Sequence, residues 1–103
     1  MSQELENAFH EKMVEVYDRA KKECQYTATR FLQMVNANGG LAAAKMLLAA
    51  MRHPEGLTRL WEEGRLDISM EALLLRDPWR QQFSEEELSV ARIRLKDLGY
   101  TGL

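Results

Sequence analysis

From Ser2 to Gln25 the apolar residues Leu5, Phe9, Met13, Val16, Ala20 and Cys24 recur every three or four positions. That period lays them along one side of an α-helix and does not fit the strict alternation of a half-buried strand. A stripe this long has to be covered, and the rest of the chain must supply what covers it. The charges agree with a helix: Glu4, Glu6 and Glu11 lie early and Arg19, Lys21 and Lys22 late, complementing the dipole. Glu15 with Arg19 and Asp18 with Lys22 have the spacing of favourable side-chain pairs.

Downstream, Thr27 is the expected N-cap of a second helix that turns Phe31, Leu32 and Val35 inward, with "NGG" at Asn38 to Gly40 ending it. A third helix is expected from Leu41 to Arg52, alanine-rich and slim enough for close neighbours. The proline of "HPEG", His53 to Gly56, breaks it. A short fourth helix then runs from Leu57 to Glu63, Gly64 caps it, and Asp67 or Ser69 caps the next, Met70 to Leu75. After a turn at "DPW", Asp77 to Trp79, Ser84 and Glu87 form a capping box with Phe83 and Leu88 as its hydrophobic staple. The last stripe is Leu88, Ala91, Leu95 and Leu98, closed by Gly99. No strand-like alternation or internal repeat is present. The expected fold is all-α: a compact bundle of five or six helices with a long N-terminal amphipathic helix, forming one domain over residues 1–103.

Composition narrows the function classes. With 46% hydrophobic and 29% charged residues the chain is ordinary globular material. A formal net charge of -2 gives no global drive toward nucleic acid or an anionic membrane. The longest apolar stretch, "GGLAAAKMLLAAM", contains Lys45 and is shorter than the roughly 20 apolar residues a bilayer crossing needs. The acidic, amphipathic N-terminus is unlike an export signal, and the single cysteine, Cys24, excludes an intrachain disulfide. These features point to a cytoplasmic protein, a monomer or small homo-oligomer.

His10, Cys24 and His53 are scattered rather than set at metal-ligand spacings, so no metal is expected, and Cys24 continues the apolar stripe as a packing residue. "NANGG" lacks the lysine and hydroxyl residue of a phosphate-binding loop, and no cofactor is expected. Glu62, Glu63 and Asp67 read as a solvated helix end rather than an acid–base pair. No nucleophile, base and orienter occur together, which argues against an enzyme. Arg76, Arg80, Arg92, Arg94 and Lys96 are the residues from which a nucleic-acid-binding regulator would build a basic patch. Against that alternative, the last three follow the acids Glu85 to Glu87 in one helix, the arrangement that complements its dipole. The alanine-rich third helix also lacks a base-reading polar face.

The stretch "LTRLWEEGRLDISMEALLL", Leu57 to Leu75, admits two readings. As a joint, Trp61 joins Leu57 and Leu60 on a buried face, Gly64 reverses the chain, Leu66 and Ile68 fold back, and Arg65 and Asp67 stay near the surface. Burial of Trp61 is the expectation, since amphipathic patterning ordinarily marks core. As a site, Arg59, Trp61 and Arg65 form an exposed anchor for another protein, because Trp and Arg are enriched among interface hot spots.

The segments "YTATRFLQMVNANGG", "GLTRLWEEGRLDISMEALLL" and "FSEEELSVARIRLKDLGY", spread from Tyr26 to Tyr100, resemble a family of small bacterial helical proteins. The resemblance implies a helical domain that stands alone or is attached to larger proteins, and it brings no catalytic residues. The resulting expectation is a non-enzymatic protein–protein interaction module, an accessory or inhibitory subunit of a bacterial or phage-encoded machine, with another protein as its partner.

Overall fold

In the computed structural model, which describes residues 3–50 and 55–102, the first stripe becomes α1, Gln3–Cys24. It is followed by α2 (Thr29–Asn38), α3 (Gly40–Ala49), α4 (Glu55–Glu62), α5 (Met70–Leu74) and α6 (Glu85–Asp97). Single turns of 3-10 helix at Leu66–Ile68 and Trp79–Gln82 lead into and out of α5. The described residues contain no strand, and the architecture is the expected all-α bundle of six helices.

Four residues of the α1 stripe, Phe9, Met13, Ala20 and Cys24, are fully buried. They serve two adjoining cores. Phe9 and Met13 pack with Val35, Ala43, Ala44, Leu48, Leu74 and Leu88. Ala20 and Cys24 pack with Leu57, Leu60, Leu66, Ile68 and Leu95. Because α1, α5 and α6 each contribute to both, neither core closes without the other. Phe9 anchors the first, its ring 5.6 Å from Phe83 in an edge-on arrangement and 5.8 Å from Trp79. Both lie in the range favoured by aromatic pairs.

The alanine-rich α3 comes very close to α1. A Cβ placed on Gly40 would sit 2.6 Å from the Cα of His10, so only glycine permits this approach. At the same point His10 Nδ1 accepts the Gly40 N–H at 3.0 Å, supplying from α1 the cap that α3 lacks in its own sequence. Between α2 and α3 a single residue, Gly39, makes the turn at φ 84°.

Several boundaries differ from the sequence expectation. Thr27 does not cap α2: the N-cap position is Ala28, without a side-chain bond, and Thr27 instead accepts the Thr29 N–H through its backbone carbonyl at 3.0 Å. Along α2 only Val35 is fully buried; Phe31 and Leu32 are half-buried because the helix lies on the rim of the bundle. Helix α3 stops at Ala49, with Ala50 already extended, short of the expected Arg52; that residue, His53 and Pro54 lie outside the described residues. Arg19 pairs forward with Glu23 at 2.7 Å, and Glu15 pairs with Lys12 at 3.4 Å.

Other local signals hold. Ser69 caps α5 by accepting the Ala72 N–H at 3.1 Å. Ser84 and Glu87 form both bonds of the capping box, at 3.1 and 2.9 Å, and the staple residues Phe83 and Leu88 share the first core. Gly64 and Gly99 end α4 and α6 in the same way: the glycine N–H turns back three residues and the next N–H, of Arg65 or Tyr100, turns back five, to Leu60 at 2.8 Å and Leu95 at 2.9 Å. Both glycines have positive φ, as this type of cap requires.

Candidate functional site

Helix α4 and the turn after it carry the residues singled out as an anchor. Leu57 and Leu60 face the second core and are 3% and 5% exposed, whereas Trp61 is 48% exposed. The expected burial of Trp61 is therefore wrong, and the reason is local. Leu66 and Ile68, returning after Gly64, pack with Leu57 and Leu60 in the second core, a cluster that does not include Trp61. Trp61, one position after buried Leu60, lies at the edge of the apolar stripe of α4, and its indole is left half uncovered.

Arg59 and Trp61 are two positions apart on α4, a spacing that does not share a helix face. The Arg59 guanidinium lies 5.5 Å from the centre of the Tyr26 ring and 3.9 Å from the carboxylates of Glu62 and Glu63. Arg65 turns toward α1, 2.7 Å from Glu23 and 3.1 Å from Asp67, while Arg19 donates to the other Glu23 oxygen at 2.7 Å. Hydrogen bonds from Arg19 and then Arg65 hold the Glu23 carboxyl down to about 2. The bond from Arg65 lowers Asp67, and the two acids in turn raise Arg65. These carboxylates are kept ionised, the opposite of what a general acid needs. The three anchor residues thus differ in role: Trp61 is presented to solvent, Arg59 stacks on Tyr26, and Arg65 ties the end of α4 to the end of α1.

On the other side of α4 lies a cavity of about 540 Å³ that sequence reading did not find. It opens between α1, α2, α3, α4 and α5, with Val16, Phe31, Met34, Leu47, Leu57 and Leu60 among its walls and Tyr17, Tyr26 and Arg30 among its polar groups. Glu71 also lines it, buried and bonded to Arg94 at 3.1 Å. Its lining comes from five separate segments, so no single periodic stretch could have revealed it. Arg94 was legible in principle, because it follows Ala91 by three positions and precedes Leu98 by four, on the buried stripe of α6.

The five basic residues weighed for nucleic acid are dispersed. Arg94 is in the core, Arg76 donates to the Asp67 carbonyl at 3.0 Å, and Arg92 donates to Glu85 at 3.2 Å. Arg80 and Lys96 are exposed. Glu62 and Glu63 are exposed at the end of α4, and Cys24 is buried, with burial raising its thiol above the ordinary range. Among the described residues no group of three His, Cys, Asp or Glu side chains is placed to hold a metal ion. None of the described helices is long and apolar enough to cross a membrane.

What these features define is an all-helical bundle with an exposed tryptophan and, among the described residues, a largely apolar cavity. Comparison of the chain with protein-family models, curated proteins and solved structures gave no match.

Proposed function

We propose that this protein is a non-enzymatic interaction module that binds another protein through Trp61, serving as an accessory or inhibitory subunit of a bacterial or phage-encoded machine. The observation that carries the reading is the 48% exposure of Trp61 in the last turn of α4. A large aromatic half exposed on a short helix closed by the Gly64 cap is the form an interface anchor takes, presenting contact area at little entropic cost. Arg65 supports it indirectly: the bonds to Glu23 and Asp67 tie down the turn that follows α4. Arg59 and its acidic neighbours supply a polar rim.

The test is affinity purification of the tagged chain from its native host, with and without nuclease treatment. Retention of a stoichiometric protein after nuclease treatment supports the proposal. Retention that vanishes with nuclease would instead favour a nucleic-acid-binding regulator, acting through Arg76, Arg80, Arg92 and Lys96 without Arg94.

A further inference from the structure

The cavity behind α4 is a second feature, separate from Trp61, and its chemistry is polarised. About 540 Å³ falls within the roughly 300–1,000 Å³ typical of small-molecule sites. Its body is apolar, formed by Val16, Phe31, Met34, Leu47, Leu57 and Leu60. Arg30, an exposed residue of the first turn of α2, contributes to the lining and makes no ion pair within the described residues. Glu71 is the only carboxylate among the described lining residues and is already bonded to Arg94.

We propose that this cavity binds a small apolar monocarboxylate, with its hydrocarbon part among the apolar walls and its carboxylate at Arg30. The arrangement of charge sets the orientation. A carboxylate directed inward would meet buried Glu71, whereas one directed outward meets a guanidinium that has no ion pair among the described residues and stays in contact with water. Helix α2 adds to the attraction, since Ala28 leaves its first turn without a side-chain cap and its positive dipole end adjoins Arg30. The hydrocarbon supplies affinity by leaving water, and Arg30 supplies the preference for an anionic head.

Isothermal titration calorimetry of the intact protein with octanoate, 1-octanol and octylammonium separates these contributions. Octanoate should bind saturably, with one molecule per chain, and more tightly than either of the others. Arg30→Gln should weaken octanoate about tenfold, the loss of one charge-assisted contact, and leave 1-octanol unchanged. Met34→Trp, which fills the cavity, should abolish binding of both while circular dichroism remains helical. Should that variant fail to fold, Arg30→Gln still decides. Absence of saturable octanoate binding, tighter binding of octylammonium, or indifference of octanoate affinity to Arg30→Gln would each overturn the proposal. None of these outcomes bears on Trp61, so this inference and the interaction reading stand or fall separately.

Discussion

Arg94 Nη1 donates to Glu71 Oε2 at 3.1 Å, with the two side chains 6% and 3% exposed. Arg94 Nη2 also donates to the carbonyls of Leu47 and Ala50, both at 3.0 Å, at the C-terminal end of α3. One side chain of α6 thereby pairs a buried charge on α5 and satisfies carbonyls that α3 cannot satisfy itself. Removing either partner leaves the other charge buried without its counterion. Arg94→Ala should cost about 3–5 kcal/mol in urea unfolding, and the double change Glu71→Leu with Arg94→Met should cost much less than the sum of the two single changes. Additive losses would show that the two groups do not act as a pair.

The contact of α1 with α3 makes a contrast between two glycines. Gly40→Ala puts a methyl into the backbone of His10 and should destabilise by about 1–3 kcal/mol through overpacking. At Gly64 a Cβ meets nothing within 4 Å, and the cost there is conformational, about 1 kcal/mol for a left-handed φ of 70°. Methyl NMR should therefore distinguish them: only Gly40→Ala should shift the signals of Met13 and Val35, which share the first core with α3. Equal effects on those signals would contradict the close approach.

How much was legible follows from the same physics. Helix α1, the caps at Ser69 and Ser84, and the glycine turns at Gly64 and Gly99 are written in local sequence because each depends on residues within a turn or two. The pairing of Glu71 with Arg94 joins residues on different helices, and the cavity draws on five segments, so neither has a local signature. Trp61 failed for a subtler reason. Its position relative to Leu57 fits the buried stripe, but the second core closes among Leu57, Leu60, Leu66 and Ile68 without the indole, a tertiary outcome that local spacing does not encode.

At α6 the sequence-based reading can be checked quantitatively. Ser84→Ala removes the bond to the Glu87 N–H and should cost about 1 kcal/mol. Arg92→Ala removes only a solvent-exposed pair with Glu85 and should cost less than about 0.5 kcal/mol. Equal shifts in denaturant midpoint for the two variants would contradict the cap's larger contribution.

Acid should loosen the joint between α1 and the turn after α4. The Glu23 carboxyl is held at about 2 by Arg19 and Arg65, below the roughly 4.3 of an unfolded glutamate. A depressed folded value means that the stabilisation is present above the unfolded value and is lost as pH falls from about 4.3 through about 2. Asp67, lowered by Arg65, acts in the same direction. An NMR titration of the Glu23 side chain should place its midpoint near 2, and Arg65→Gln should move it upward. An unchanged midpoint in that variant would show that Arg65 does not hold the cluster.

The most direct test of the interaction reading is quantitative capture with Trp61→Ala in place of the wild-type chain as bait, after confirming that its circular dichroism is unchanged. A half-exposed indole that serves as an anchor can be removed with the fold intact, and the nuclease-resistant partner should then fall by at least about tenfold, the equivalent of roughly 1.4 kcal/mol of binding. Undiminished capture by the folded Trp61→Ala protein would contradict the assignment of Trp61 as the anchor.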